Sequence, residues 1–308
     1  MSAASASADH LPPLRHERVK GIIMRLAAIT GFALMAATIK LAYAHGASTV
    51  EAVFYRSLFG LPPLLGWVAW CGAWEVWKTK RPLAHALRGS LGLTSMVLGF
   101  TALGLLPLAE ASTISFVAPL FALALSSPIL AEHVGLRSWL AVAAGFAGVI
   151  IVMQPGGDHL SLAGTLAALA AAFSVGCVTV ALRSISRTES TPTIVFWFTT
   201  FCVVASGLLM PWFAQAHDPF TWALLVGIGL SGGIGQLFLT ASLRYAPISA
   251  LAPIDYLQLV YAVLFGWLLF SDQPAWTTWA GAAVIIVSVL STMGRRPVTE
   301  TPPSALEG

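Results

Sequence analysis

Charge is scarce in this sequence. Only 9% of its 308 residues are Asp, Glu, Lys or Arg, while 57% belong to the hydrophobic set; an ordinary soluble domain carries about 25% charged residues. No soluble core absorbs that much apolar surface, which excludes a water-soluble enzyme or binding module. Cysteine is scarce as well. Cys71, Cys177 and Cys202 are odd in number and scattered, so neither a disulfide framework nor a thiolate metal site follows. The seven histidines lie in tails, loops and span ends without ligand spacing, and no metal role is expected. No P-loop is present to hydrolyse a nucleotide. A membrane-embedded prenyl or lipid-headgroup transferase would need clustered carboxylates for its metal, and no DDxxD-like cluster occurs. Catalytic residues and cofactors are therefore expected to be absent.

What the chain has is long apolar runs. About twenty residues at 1.5 Å per residue cross roughly 30 Å of hydrocarbon, and such runs recur throughout. Ten spans are predicted, at about 21–43, 51–70, 86–106, 110–130, 138–153, 162–182, 193–213, 220–243, 248–270 and 276–293. The fold class is thus an all-α polytopic membrane protein, with the lipid bilayer as its solvent. The run before Ala42-Tyr43-Ala44 is too long for a signal h-region and holds Lys40, so it is read as a retained first span.

The net charge of +3 points to no nucleic acid, because the cations follow topology. Fourteen of the sixteen Lys and Arg lie in or beside the N-terminus, 78–88, Arg137, Arg183 with Arg187, Arg244, and Arg295 with Arg296. Those are alternate loops of the ten-span pattern. The five opposite loops hold none, so the positive-inside rule puts both termini in the cytoplasm. Lys40 and Arg56 alone break the pattern. Residues 1–18 and 295–308 read as disordered tails rich in Ala, Ser and Pro.

Internal similarity divides the chain at 19–157 and 158–294. Laying Pro107–Trp139 over Pro247–Trp279 at a shift of 140 matches Pro107 with Pro247, Phe116 with Tyr256, Phe121 with Tyr261, Glu132 with Asp272 and Trp139 with Trp279. Lys40 matches Arg183 at a shift of 143. Five spans separate equivalents, and five is odd, so the halves cross the membrane in opposite senses. Inverted five-helix repeats are the architecture of secondary transporters, with the binding site between the halves.

Three stretches carry a resemblance: FYRSLFGLPPLL (54–65), LGLLPLAEASTISFVAPLFALALSSPILAEHVGLRSWLAVAAGFAGVIIVMQPG (104–157) and DYLQLVYAVLFGWLLFSDQPAWTTWAGAAVIIV (255–287). The chain resembles the drug/metabolite transporter superfamily, in particular its EamA-type members, over residues 20–294. FYRSL, RPLAHALRG (81–89) and YLQLV look more like the branch with S-adenosylmethionine and riboflavin uptake proteins than the amino-acid exporters. Ala131 stands where many members carry Gly before the acid. The resemblance implies gradient- or exchange-driven alternating access around a cavity lined by spans 1 to 4 and 6 to 9. It also implies that spans 5 and 10 lie at the periphery, scaffolding or pairing protomers into a homodimer. A lipid flippase and a passive channel remain as rivals of the same class.

The candidate site residues are polar groups set inside apolar runs. Asp255 lies about 10 Å into span 9, where an unpaired charge is costly enough to mark a functional position. It either binds a cation or a proton, or is held by Ser, Thr or a cation such as Arg244. Leu251, Asp255, Gln258 and Ala262 share one helical face, flanked by Tyr256 and Tyr261. Arg56 can hold a carboxylate bidentately, or else pairs with Glu51 or Glu110 as a gate. Lys40 is close enough to the rim to snorkel. Gln236, Ser115, Phe100 and Trp197 complete the proposed small-molecule site, whose aromatic and charged mixture suits a zwitterionic or heterocyclic metabolite. Gly227, Gly229 and Gly232 spell GxGxxG, but within a span; Gly229 and Gly233 read better as a helix-packing GxxxG. Glu132 and Asp272 are expected to sit at the N-termini of the helices that follow them.

Overall fold

The computed structural model describes residues 15–70, 72, 74–130, 136–153, 161–186, 188–242, 245, 251 and 254–293. Most of both tails, Cys71, Glu132, Arg244, Pro247 and Pro253 lie outside the described residues, as do the side chains of Arg137 and Arg183. Among the described residues thirteen helices are delimited, in order: α1 (Arg15–Ala44), α2 (Thr49–Leu58), α3 (Leu61–Trp70), α4 (Pro82–Leu105), α5 (Leu108–Ser115), α6 (Ala118–Leu130), α7 (Leu136–Met153), α8 (Leu162–Ile185), α9 (Thr191–Gly207), α10 (Met210–Phe213), α11 (Pro219–Ser242), α12 (Leu257–Phe270) and α13 (Trp276–Met293). Among the described residues, five helical stretches are long and apolar enough to cross a membrane: 19–44, 82–105, 108–126, 162–182 and 219–242. Four shorter apolar helices lie at 139–153, 191–207, 257–270 and 276–291. Together with the broken pair α2–α3, these form a polytopic helical membrane protein of two repeats. Large apolar side chains such as Leu140, Ile150, Phe173, Val204, Leu268 and Val287 remain exposed on its outside, as a surface solvated by lipid requires. Trp70, Trp74, Trp77, Trp212 and Trp276 stand out at helix ends and loops, where amphipathic rings favour the membrane interface.

Two spans of the first half are broken, and proline explains both breaks. Pro62 has no N–H to offer the Leu58 carbonyl and its ring crowds that group, so α2 ends at Leu58 and α3 begins at Leu61. Pro119 acts likewise on Ser115, the last residue of α5. In the second half the turn falls at Tyr256, just before α12. Phe116, inside the first-half break, is the repeat equivalent of Tyr256. Their rings meet edge to face at 5.1 Å between centroids, so the pseudo-twofold axis passes between them.

Packing obeys the same exchange of halves. α1 lies on α11 as α4 lies on α8, and α6 lies on α8 as α12 lies on α1. Pairs that map onto themselves are α2 with α9, α5 with α12, and α7 with α13. The shared core gathers Ile114, Val117, Leu120, Val149 and Ile285 at the α5–α7–α13 contact.

The predicted GxxxG is a packing device. A Cβ on Gly233 would fall 2.9 Å from the Cα of Gly60, and one on Gly229 would fall 2.7 Å from the Tyr55 carbonyl. The α2–α3 break therefore rests directly on α11. Gly233→Val is expected to lower the melting temperature in detergent, at a cost of about 1–3 kcal/mol for overpacking. A Cβ on Gly66 meets nothing within 4 Å, so Gly66→Ala is expected to show no loss in the same melt. Equal melting of Gly233→Val and the parent would contradict the close approach.

Candidate functional site

Two ion pairs tie α1 to the ninth span and the loop that follows it. Arg25 donates to both carboxylate oxygens of Asp255, at 2.6 and 2.5 Å. The partner of this acid is therefore a residue of the first span. The Arg25 side chain is 13% exposed and that of Asp255 35%, so the pair is partly buried. Fifteen residues further along α1, about 22 Å away, Lys40 Nζ donates to Asp272 at 3.0 Å and to the Leu106 carbonyl at 3.1 Å. Asp272 does not serve the start of α13. Its N–H caps α12 by donating to the Gly266 carbonyl at 3.0 Å, next to left-handed Ser271, and its carboxylate turns to Lys40.

Between these two levels of α1 lies a cavity of about 250 Å³. Met35 of α1, Ser95 and Phe100 of α4, Ser112 and Ser115 of α5, and Gln258 of α12 line it, with Ala168 and Ala171 of α8 behind. Both halves contribute. Spans 1, 3, 4, 6 and 9 form this lining, a smaller set than the eight spans predicted. Of the predicted residues, Phe100, Ser115 and Gln258 meet here, and Tyr256 packs at the axis against Phe116. The Ser115 and Ser95 hydroxyls return to their own helices, donating to the Ser112 and Gly92 carbonyls at 2.7 and 3.0 Å. The Gln258 amide is thus the strongest polar recognition group facing this space.

The other predicted residues lie elsewhere. Tyr261 bonds the Thr30 hydroxyl at 2.9 Å and faces a lateral groove of about 660 Å³ bordered by Leu26, Leu34, Leu230 and Ile234. Arg56 and Gln236 share a void of about 10 Å³ with Thr199. Trp197 lies beside His85, with ring centroids 5.8 Å apart.

The expected pairing of Arg56 with Glu51 or Glu110 is not formed. Glu51, 0% exposed, closes a capping box with Ser48 and accepts from the Gln215 N–H at 3.0 Å and His217 Nε2 at 2.7 Å. Arg56 follows five residues later, about 140° around the helix, and so faces away. Glu110 accepts from the Thr278 hydroxyl at 2.9 Å instead.

Outside the spans, Glu189 fixes the approach to α4. It accepts from the Lys80 N–H and the Thr79 hydroxyl, both at 2.9 Å. Slight burial pushes this carboxyl upward, but those hydrogen bonds outweigh it and hold the group below its ordinary range. The clamp is complete at neutral pH and is lost as pH falls through the lowered value.

Arg25 escaped sequence reasoning because it was counted with the cytoplasmic cations. Its signal was present, since Ile22–Met24 and Leu26–Ala28 flank it as apolar residues flank Asp255. His85 and Arg88 were absorbed in the same way into the basic 78–88 segment. Among the described residues, no cluster of His, Cys, Asp and Glu could hold a metal.

The model of the EamA-like transporter family matches residues 19–154 and 162–294. A riboflavin transporter of Vibrio cholerae is 27% identical over 281 residues, covering 90% of this chain and 93% of its own. An S-adenosylmethionine uptake transporter of Rickettsia felis is 30% identical over 243 residues, covering 78% and 81%. A pseudopaline exporter of Pseudomonas aeruginosa is 29% identical over 273 residues, covering 88% and 95%. One solved crystal structure superposes with a TM-score of 0.61 at 21% identity, over 89% of this chain and 96% of that one; it supports the fold alone.

Proposed function

The chain belongs to the EamA-like transporter family, and from that premise we propose that it is a secondary transporter moving a small organic metabolite across the bacterial inner membrane by alternating access. It is a membrane transporter and not an enzyme. One observation carries the mechanism: a cavity between the halves lies along α1 between two ion pairs, each joining the first half to the second. Breaking one pair while the other holds opens the cavity to one side only. Without a nucleotide-hydrolysing motif, the energy comes from a substrate or ion gradient or from exchange. The cation distribution puts both termini in the cytoplasm, which makes Arg25–Asp255 the inner closure and Lys40–Asp272 the outer one. Spans 5 and 10, α7 and α13, pack on each other away from the cavity and offer a surface for a homodimer.

The relatives' names include riboflavin, S-adenosylmethionine and pseudopaline, so the substrate is sought among heterocyclic and zwitterionic metabolites. Purified protein in proteoliposomes is expected to accumulate or exchange at least one of riboflavin, S-adenosylmethionine, an amino acid or a nucleoside above protein-free vesicles. No uptake or counterflow of any of them would contradict this substrate range.

The lateral groove between α1 and α11 favours a second reading, a lipid flippase, because its lining is largely apolar and opens sideways. Dithionite bleaching of fluorescent phospholipids in the same vesicles separates the two. Solute transport predicts a protected inner leaflet, and flipping predicts its loss.

A further inference from the structure

A second polar cluster lies where spans 2, 3, 7 and 8 meet, and it is rich in donors and cations. Arg56 of α2 is 8% exposed and His85 of α4 is 2% exposed. Arg88 lies one turn beyond His85, with Nε and Nη1 buried and without partners; both ring nitrogens of His85 and Nε1 of Trp197 are in the same state. The Arg88 guanidinium stacks on Phe198, 4.1 Å from the ring centroid. Cys202 lies within electrostatic reach of both arginines, and the arginines feel each other's charge.

Among the described residues no carboxylate pairs with Arg56 or Arg88. Glu189, which acts electrostatically on His85, already accepts from Thr79 and Lys80. Buried polar groups are normally hydrogen-bonded, and an unpaired cation inside a membrane is among the costliest placements a protein carries. Here the Arg88 guanidinium, the His85 imidazole and the Trp197 indole hold buried nitrogens without a partner on α4 and α9, and Arg56 of α2 lies beside them without a carboxylate, sharing its small void with Gln236 and Thr199. Removing the deficit takes a ligand with several acceptor oxygens and negative charge.

We propose that Arg56, Arg88, His85 and Trp197 form a binding site for the oxyanion of the transported molecule, a carboxylate or a phosphate, with Phe198 and Trp197 offering faces to an attached ring. The assignment deepens the transporter reading and rests on it. The site adjoins the central cavity: a Cβ on Gly232 would touch both Met35 Sδ, of the cavity wall, at 2.6 Å and Arg56 Nε at 3.4 Å. The void beside Arg56 is about 10 Å³, the limit for one water. The anion therefore enters when spans 2 and 3 separate from 7 and 8.

The test uses full-length protein in detergent and reads thermal shift and tryptophan fluorescence. The probes are matched acid and amide pairs, nicotinate with nicotinamide and benzoate with benzamide, together with inorganic phosphate. An acid or phosphate is expected to bind while the amides do not, and which of the two binds distinguishes carboxylate from phosphate. Arg56→Gln and Arg88→Gln weaken that binding by about tenfold or more, the worth of a charge-assisted hydrogen bond; Arg88→Lys, which keeps the charge, loses less. Equal response to acid and amide, response to no probe, or wild-type binding by both glutamine variants overturns the site. Binding without uptake of any panel compound leaves the oxyanion site standing and contradicts the substrate range proposed above. Uptake that is indifferent to both variants does the reverse.

Discussion

Asp255→Asn and Arg25→Gln are each expected to reduce uptake about tenfold or more, and the double variant is expected to be no worse than either single one. The pair consists of two charge-assisted hydrogen bonds in fork geometry, which are stronger than neutral ones. Because both side chains are partly buried, the free energy lost on breaking it lies between the small value of an exposed pair and the larger one of a buried pair, about 1–3 kcal/mol. A closure that weakens by 1.4 kcal/mol shifts its open-to-closed ratio tenfold. Four inputs are needed: uptake rates in proteoliposomes for wild type, both singles and the double. If the residues act only as a pair, the singles match and the cycle is strongly non-additive. If Asp255 instead holds a substrate cation or a coupling proton, Asp255→Asn abolishes transport while Arg25→Gln leaves a slower, pH-dependent carrier. That outcome would assign the aspartate to substrate or proton binding and remove it from the closure.

Lys40→Met is expected to open the other end. Lys40 bonds both Asp272 and the Leu106 carbonyl, so it ties α1 to the end of α4 and to the α12–α13 loop at once. Methionine keeps most of the stem's packing but makes neither bond. A cysteine at Ser115, on the cavity wall, reports the opening through its rate with a membrane-impermeant thiol reagent. The rate from the side bearing Asp272 is expected to rise about tenfold in Lys40→Met and to stay at the parent value in Asp255→Asn. From the opposite side the two variants exchange roles. Equal reactivity from both sides in either variant would mean that the ion pairs do not close the cavity.

The membrane-spanning helices were legible in the sequence because twenty apolar residues in a row have few other fates in water. Inversion was legible because five is odd. The breaks at Leu58 and Ser115 were encoded in Pro62 and Pro119, four residues on, but apolar-run counting does not register a turn inside a span. Phe100, Ser115 and Gln258 stood out as aromatic or polar groups at helical spacing within apolar runs, and they converge on one cavity. Charged partners were the harder problem, since pairing depends on angles around helices and on contacts between distant segments. Arg56 and Glu51 are close in sequence yet face apart, whereas Arg25 and Asp255 meet across 230 positions. Counting cations by loop also hid Arg25, His85 and Arg88, since each begins a span near the rim and ends inside it.

The repeat gives the asymmetry a physical form. At shifts of 140 and 143, the equivalents of Asp255 and Arg25 are Ser115 and Ala168, and both line the cavity. One half fills this position with an ion pair. The other leaves it as space.

Alternating access between two ion-paired ends is tested most directly by locking each end in turn. In a background with Cys71, Cys177 and Cys202 replaced, cysteine pairs at 25 with 255 and at 40 with 272 are bridged by a short bifunctional thiol reagent. Uptake or counterflow of the transported panel compound is then measured before and after bridging. Either bridge alone is expected to stop transport while the unbridged pairs still carry substrate. Full transport with either bridge in place would contradict alternating access through these two ends.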